Sequence, residues 1–261
     1  MIPYEALTAR NAGIIQDQEC LKRATVAIAG CGGAGGKSPA TFARMGVGKI
    51  RLADPDTFDV SNLNRQYGSS VRTLGQNKAQ AIADLVKDIN PHCEVEVFEE
   101  GITEDNIASF LQGVDVAIEE IDIQAAYFSV IFHRTARAMG IPVLTGVEVG
   151  WGANLFYFDP EGMTFEEYVG IPDGASKEEI EKHPIPITAY SPEIPEYVTE
   201  DILGMIMSGE IEIPAIAPSA NLTAAMIAVY TYLLLSGAKK VEPVPYYYPV
   251  DIFNVEARRV V

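Results

Sequence analysis

The chain has 261 residues, of which 48% are hydrophobic, so it suits one folded domain with a sizeable core and is not largely disordered. Its formal net charge of −17, from 36 acidic and 19 basic residues, opposes binding to nucleic acid or to an anionic membrane surface. The three cysteines, Cys20, Cys31 and Cys93, form no C-x-x-C pair, which excludes a disulfide framework and a structural zinc site.

Two further features bear on partners and location. The acidic charge favours a basic or neutral macromolecular partner, or else it only maintains solubility. Residues 1–10 lack the basic start and long apolar core of a secretory signal. The most apolar stretch, Leu222–Leu235, is shorter than the ~20 residues that span a bilayer. We therefore expect a cytoplasmic protein without a membrane span.

The first predicted elements are an arm and a strand–loop–helix–strand unit. Residues 5–23 of the arm are predicted helical, with an interruption at Gly13, and carry Arg10. The unit that follows comprises strand Thr25–Ala29, helix Ala34–Met45 and strand Lys49–Asp54.

Four glycines mark the turn between the first strand and its helix. They form the pattern G-x-G-G-x-G, at Gly30, Gly32, Gly33 and Gly35. Such a turn lets a phosphate approach the backbone, and the helix that opens there directs free N–H groups and its positive dipole end at the phosphate. Asp54 ends the next strand 19 residues after Gly35, close to the spacing of a ribose-binding carboxylate. The pattern predicts a nucleotide-binding fold.

The β–α alternation continues to about residue 150 and then stops. The next predicted elements are helix Gly75–Asn90, strand Glu94–Phe98, a helix from Thr103, strand Val114–Ile118, helix Ile123–Met139 and strand Ile141–Val149. Beyond Gly150 we predict strand Asn154–Phe158, an acidic helix Lys177–Lys182, an extended proline-rich crossover His183–Glu196, helices Thr199–Ser208 and Asn221–Leu235, and a closing hairpin or meander Pro245–Val261. The fold class is therefore α/β: a Rossmann-like, doubly wound, mainly parallel sheet with an antiparallel C-terminal extension.

We divide the chain into three parts on this basis. Residues 1–24 form the N-terminal helical arm, and residues 25–150 form the nucleotide-binding core. Residues 151–261 form a C-terminal part of the same domain, with the crossover segment and the substrate side. Trp151 follows a strand end at the ligand-binding edge and is a candidate for the substrate pocket.

The run SNLNRQ, residues 61–66, places polar and cationic groups just after Asp54. Arg65 can bridge phosphate oxygens with its planar guanidinium, and Asn62 can donate to one. Lys78 lies one turn into the following predicted helix, where it would meet a phosphate tail. Alternatively, Arg65 and Lys78 are ordinary surface cations.

These runs together resemble a known family. The segments GCGGAG, ARMGVGKIRLADPDTFDVSNLNRQ and GQNKA, with an acid after the fourth strand, are similar to the ThiF/MoeB/HesA family of adenylating enzymes, whose fold recurs in ubiquitin-activating enzymes. The resemblance covers Arg10 to about Gly150, and residues 214–237 resemble the family's late helix. SNLNRQ is more specific than the glycine loop, because dehydrogenases lack it.

The resemblance implies a role for each matching residue. Asp54 would bind the ribose hydroxyls, and Asp122 would hold Mg²⁺. Arg10 would reach the triphosphate of a neighbouring subunit in a homodimer. The remaining nucleotide-binding set comprises Asn62, Arg65 and Lys78 on the triphosphate, with Gly30, Gly32, Gly33, Gly35, Asp56 and Gln66 around it. Asp122 is equally suited to cap the helix that follows it, and both roles can hold together.

The implied reaction is ATP-dependent activation of a carboxylate as an acyl-adenylate, with release of pyrophosphate. The acid is a ubiquitin-like carrier protein's C-terminus or a small molecule. The chain lacks the two zinc-binding C-x-x-C pairs of MoeB-type relatives, and it has Ile123 where relatives often have Asn. No cysteine follows Cys93, so we expect an adenylate without a thioester.

Two other functions remain open from the sequence. A glycine loop alone permits an NAD-dependent oxidoreductase, although SNLNRQ places cations where a nicotinamide ribose does not need them. A catalytically silent subunit of a heterodimeric activating enzyme is the second, although the presence of Arg65, Lys78 and Asp122 together argues against it.

Overall fold

A single mixed sheet organises the structure, a computed structural model that describes residues 2–257 and residue 259. Its strands within those residues are β1 (Thr25–Ala29), β2 (Lys49–Ala53), β3 (Glu94–Phe98), β4 (Val116–Glu119), β5 (Val143–Val149), β6 (Gly152–Phe158) and β7 (Tyr247–Asp251). Their order is β3-β2-β1-β4-β5-β6-β7. Strands β1 to β5 pair in parallel, whereas β6 pairs antiparallel with both β5 and β7. The predicted α/β class, doubly wound with an antiparallel C-terminal extension, is confirmed.

Helices cover both faces of this sheet. In chain order they are α1 (Tyr4–Thr8), α2 (Gln18–Arg23), α3 (Gly33–Met45), α4 (Lys78–Ile89), α5 (Ile107–Leu111), α6 (Ala126–Ala138), α7 (Phe165–Val169), α8 (Lys177–Glu181), α9 (Ile187–Tyr190), α10 (Glu200–Met207) and α11 (Ala217–Ser236). Short 3-10 turns occupy Ala9–Asn11, Val60–Asn62 and Ile123–Ala125.

Successive side chains of β1 point to opposite faces of the sheet and so belong to two separate parts of the core. Val26 and Ile28 belong to the cluster under α3, α4 and α11, whereas Ala27 and Ala29 belong to the cluster under α5 and α6. All four side chains have no exposed area, as expected for a parallel strand covered on both sides. The apolar run TVAIA is therefore a central strand.

Glycine is required at both ends of the β1–α3 unit. Gly30 has a φ of +97°, and a Cβ there would lie 2.1 Å from the carbonyl oxygen of Glu120. Gly46 has a φ of +89° and ends α3 in the left-handed conformation, with its N–H bonded to Phe42 and Ala43. These two positions fix how the chain leaves β1 and returns to β2.

The predicted interruption of the arm at Gly13 agrees with the structure, in which the helical residues stop at Asn11 and begin again at Gln18, where the Asp17 carboxylate caps α2. Two other predicted helix starts were wrong. The helix predicted from Thr103 begins at Ile107, since Thr103 and Asn106 instead exchange side chain–backbone bonds in a turn. The helix predicted from Gly75 begins at Lys78, after the Asn77 cap.

The C-terminal part differs more from the prediction. The crossover His183–Glu196 is not wholly extended, because α9 forms between its prolines, and α7 was not predicted at all. The closing segment contributes one described strand, β7, and no hairpin of its own within residues 245–257 and 259. Three residues of that predicted segment, Arg258, Val260 and Val261, lie outside the described residues, as does Met1 of the arm.

Helix α11 is longer than the predicted Asn221–Leu235. At 20 residues it has the length and composition of a membrane span, although 44% of its most apolar window is buried inside the molecule. It packs on α3, β5 and β6, with Thr223, Ala224 and Ile227 fully enclosed. Burial in the core accounts for its apolar composition.

Candidate nucleotide and acid site

The site lies where the strand order reverses. The connection from β1 leads to β2 on one side, whereas the neighbour of β1 on the other side is β4, so a crevice opens between the carboxyl ends of β1 and β4. Because parallel strands end at the same edge, the glycine loop, Asp54 and the Glu119–Asp122 segment lie along this edge. The predicted residues therefore come from three adjacent strand ends.

The glycine loop presents free backbone donors at the start of α3. Gly32 is the N-cap of α3, and no described acceptor bonds the N–H of Gly33 or Gly35. The next donor, the Ala34 N–H, is 3.0 Å from Oε1 of Glu148. A Cβ on Gly33 would lie 2.0 Å from that oxygen, so the absence of a side chain at Gly33 lets a carboxylate approach the helix end. The start of α3 thus already accepts one anionic group, the carboxylate of Glu148.

Asp54, Asp56 and Lys78 form a connected group behind the loop. Asp54 is buried and accepts from the Cys31 N–H at 2.6 Å and from the Asp56 N–H at 2.8 Å. Burial raises the pKa of Asp54 above its ordinary value, and the two N–H bonds and the nearby Lys78 oppose this rise. Lys78 Nζ, on a side chain only 9% exposed, lies 2.9 Å from Asp56 Oδ2. The ammonium is thus held in place by one carboxylate.

The SNLNRQ run forms a 3-10 turn that positions Arg65. Asp59 accepts from the Ser61 N–H, and Asn62 Oδ1 accepts from the Asp59 N–H, which closes a capping box. Arg65 donates to Ser61 O and Asn64 Oδ1, and together with Gln66 it lines a cavity next to Gly33. The side-chain amide of Asn62 is partly committed to the box, so holding the turn is its observed role.

Asp122 and Arg10 lie outside the cavity. Asp122 is exposed, and its Oδ1 accepts from the Gln124 N–H at 2.8 Å, so it caps the turn before α6 as expected for an Asp there. Among the described residues no cluster of three His, Cys, Asp or Glu could hold a metal ion. One free carboxylate oxygen still fits Mg²⁺, which is commonly held by one or two carboxylates together with substrate phosphates. Arg10 is exposed in the arm and pairs with no described acid.

A cavity of about 370 Å³ adjoins the loop. Its inner end is formed by Gly33, Arg65, Glu120 and Glu148, and its outer wall by segment 187–215, which includes α9 and α10. The volume is typical of a small-molecule site. Trp151, which we predicted for the substrate pocket, does not line this cavity: it is 47% exposed at the β5–β6 turn, where its backbone N–H donates to the Tyr197 hydroxyl.

Sequence reasoning missed three residues of the cavity. The sequence analysis singled out none of Glu120, Glu148 and Tyr190 as a cavity residue. The sequence does contain an indication of Glu148, because an acid within the apolar strand VLTGVEV is unusual unless it faces a cavity. Tyr190 lies in the proline-rich crossover, where no periodicity indicates which side chains turn inward.

The fold is a doubly wound α/β fold with a glycine loop at the crevice between β1 and β4, and the chain belongs to the ThiF family, whose model matches residues 7–261. It is 40% identical over 105 residues to tRNA threonylcarbamoyladenosine dehydratase of Bacillus subtilis, covering 40% of this chain and 41% of that protein. It is 30% identical over 134 residues to adenylyltransferase and sulfurtransferase UBA4 of Candida albicans, covering 51% of this chain and 30% of that protein. The chain thus spans less than half the length of these curated relatives. The crystal structure of Escherichia coli MccB with ATP has the same fold, with a TM-score of 0.63, 19% identity and coverage of 96% of this chain and 69% of that one.

Proposed function

We propose that this protein is an ATP-dependent adenylyltransferase that activates a carboxylic acid as an acyl-adenylate and releases pyrophosphate. The observation that carries the proposal is the position of the cavity, which adjoins the anion-binding start of α3 and is lined by Gly33 and Arg65. An acid in the cavity would therefore meet a phosphate at the glycine loop. Membership of the ThiF family and the relative named an adenylyltransferase support the same reaction.

The roles follow from what each group can reach. The free N–H groups of Gly33 and Gly35 and the guanidinium of Arg65 would hold phosphate oxygens. Lys78, enclosed and oriented by Asp56, would add a positive charge behind the loop. Asp54, fixed by two backbone N–H groups, would accept from the ribose hydroxyls. When bound, Mg²⁺ would neutralise charge on the phosphates, and Asp122 is the carboxylate that would hold it.

The chemical step needs positioning more than a base. A carboxylate oxygen attacks the α-phosphorus, a new P–O bond forms, and the bond to the pyrophosphate oxygen breaks with its electron pair. The acid is already ionised at neutral pH, so no side chain has to remove a proton. The chain's contribution is to bring two anions together and to offset the charge that develops on the leaving phosphates.

The macromolecular partner and the assembly belong to the proposal as well. One relative is named for tRNA, but the net charge of −17 opposes a tRNA substrate here. We propose a homodimer, with Arg10 on its exposed arm available to a neighbouring subunit.

Binding of ATP and Mg²⁺ by calorimetry, followed by ATP–pyrophosphate exchange with a panel of carboxylic acids, tests the reaction. Asp122→Asn keeps a good capping residue but removes the charge, so we expect exchange to fall about 100-fold without loss of folding. Asp105→Asn, an exposed acid on another turn, is the matched control and should retain activity.

Two results would contradict the proposal. Exchange that is equally fast in Asp122→Asn would remove Asp122 from the site. Tight NADH binding without any response to ATP and Mg²⁺ would favour the oxidoreductase instead.

A further inference from the structure

Two carboxyl groups at the inner end of the cavity lack an ionic partner. Glu120 and Glu148 both line it, and neither forms an ion pair with any residue that the structure describes. In each, one oxygen is held by a backbone N–H: Gly146 donates to Glu120 at 2.9 Å and Ala34 donates to Glu148 at 3.0 Å. No hydrogen bond from a described residue reaches the second oxygen of either group.

Glu119, the neighbour of Glu120, shows what a satisfied buried acid looks like. Its oxygens accept from the hydroxyls of Ser129 and Thr145 and from the Ile121 N–H, and His133 Nε2 lies 3.8 Å away. Glu119 is therefore explained by the core around it. Glu120 and Glu148 have no such set of partners.

Charge on these two groups is unfavourable in the free protein. Burial raises the pKa of Glu120 well above its ordinary value, and the neighbouring Glu119 and Glu148 raise it further. Burial also raises the pKa of Glu148, while its bond to Ala34 and the charge of Arg65 oppose that rise. A cation placed between the two groups would offset the desolvation cost of each charged carboxylate and the repulsion between them.

Independent evidence for a ligand comes from Tyr190. This side chain is 8% exposed and lines the same cavity, yet its hydroxyl bonds to none of the described residues. Gln66, 9% exposed, also lines the cavity, and its Oε1 has no partner. Unlike Oε1 of Gln66, the Tyr190 hydroxyl is not among the fully enclosed atoms without a partner, so it is accessible in the cavity and available to a bound molecule.

The side of the cavity formed by the crossover and α10 is mainly apolar. Its outer wall is made by Ile187 and Ile194 of the crossover and by Ile202, Leu203 and Ile206 of α10. An occupant must therefore place a hydrocarbon group here and its polar groups at the inner end.

The groups around the cavity favour an ammonium group over a metal ion as the cation. Side chains alone do not form a metal site here, since the described residues contain no group of three His, Cys, Asp or Glu that could hold a metal ion, and the proposed function already assigns Mg²⁺ to Asp122. An ammonium group suits two carboxyl groups and a hydroxyl, because it offers three donors and one charge. It would also lie next to the glycine loop, since Glu148 contacts the first turn of α3.

We infer that the acid activated here is a free α-amino acid with an apolar side chain, its ammonium bound by Glu120 and Glu148 and its side chain held against α10. This rests on the proposed function, which places the reacting carboxylate at the same loop. The inference favours a small molecule over a carrier-protein C-terminus, because the nitrogen next to a peptide's terminal carboxylate is a neutral amide and would leave both carboxyl groups unpaired.

The test compares three probes of similar size. L-Leucine carries the ammonium and the apolar side chain, 4-methylpentanoate lacks the ammonium, and L-asparagine replaces the apolar side chain by a polar one. In ATP–pyrophosphate exchange we expect kcat/KM for leucine to exceed that for either other probe at least about tenfold. In Glu120→Gln and Glu148→Gln, kcat/KM should fall further for leucine than for 4-methylpentanoate, so that their ratio approaches one. Glu178→Gln, an exposed acid on α8, is the control and should keep the ratio.

Calorimetric titration of the same probes without nucleotide separates this inference from the reaction itself. Leucine binding that weakens in Glu120→Gln supports the inference even if no acid supports exchange, in which case only the proposed reaction fails. Equal exchange with leucine and 4-methylpentanoate overturns the inference and leaves the adenylyltransferase in place. Absence of leucine binding at millimolar concentration, together with no exchange above that of 4-methylpentanoate, overturns it as well.

Discussion

The three cysteines lie in surroundings that make each a poor nucleophile. Cys31 follows the first glycine of the loop but is fully buried, and burial, with the Asp54 charge nearby, raises the pKa of its thiol well above the ordinary value. Burial raises the pKa of Cys93 to about 12. Cys20 is partly exposed, and burial followed by the charge of Asp17 raises its pKa too. Because the thiolate is the reactive form, none of the three is suited to carry an acyl group as a thioester.

This leads to a labelling prediction. In the native protein at pH 7.5 we expect at most one thiol, Cys20, to react with a small disulfide reagent, and to react slowly. Its rate should rise about tenfold for each pH unit, because a raised pKa keeps the thiolate fraction small and proportional to hydroxide concentration below that pKa. In guanidinium chloride all three thiols should react. A second thiol that reacts quickly in the native protein would contradict the described burial of Cys31 and Cys93.

The individual residues of the site differ in how well the sequence predicts them. The glycine loop, Asp54 and Arg65 are recognisable because the features that mark them are local: a short spacing, a strand end and a six-residue run. Glu148 joins the cavity through strand pairing, 114 residues after Ala34 of the loop, and Tyr190 joins it through the fold of the crossover. No local sequence pattern links residues that are so far apart in the chain.

The elements show the same division between local and tertiary causes. Strands β1 and β3 have the predicted bounds, because short β-branched and apolar runs lie between clear breaks. Helix α11 begins four residues before the prediction, at Ala217, because Pro218 in its first turn is a helix-start signal that the prediction did not use, and a buried bond from the Ser219 hydroxyl to Gly152 holds this turn. Helix α9 forms between prolines because the sheet edge packs Ala189 and Tyr190 into the core, and a proline-rich segment alone does not predict this.

The joint between α3 and β2 offers a test at the scale of elements. Gly48 lies against the end of α2, and its N–H donates to Leu21 while its carbonyl accepts from Glu94. A Cβ there would lie 1.9 Å from the carbonyl oxygen of Lys22, which is a backbone atom and cannot turn aside. We expect Gly48→Ala to lower the free energy of unfolding by about 1–3 kcal/mol, measured by urea denaturation.

Gly204→Ala in α10 is the matched control for this substitution. No atom lies within 4 Å of a Cβ at that position, so the change should be neutral or should stabilise the protein by up to about 1 kcal/mol. If Gly48→Ala were as stable as Gly204→Ala, the close contact between α2 and the α3–β2 joint would be wrong.

For the whole molecule, the question is whether one chain completes the site of another. Arg10 is exposed on the 3-10 turn of the arm, and no hydrogen bond or ion pair fixes it among the described residues. An arginine that serves only its own chain would be expected to contact its own cavity, whereas Arg10 does not line it. The expected homodimer gives this arm a function, because a closed two-fold assembly places each arm on its neighbour.

Mixed dimers distinguish an Arg10 that acts in the site of the neighbouring subunit from one that acts in the site of its own subunit. Arg10→Ala and Asp122→Asn each should lose most exchange activity as pure dimers. When the two variants are coexpressed with different tags and only the mixed dimer is purified, one of its two sites contains an intact Asp122 and receives Arg10 from the other chain, so we expect about half of the wild-type activity. If Arg10 instead served its own subunit, one site would lack Arg10 and the other would lack Asp122, and the mixed dimer would be as inactive as its parents. Wild-type protein that elutes as a monomer at assay concentration, yet is fully active, would exclude the shared site altogether.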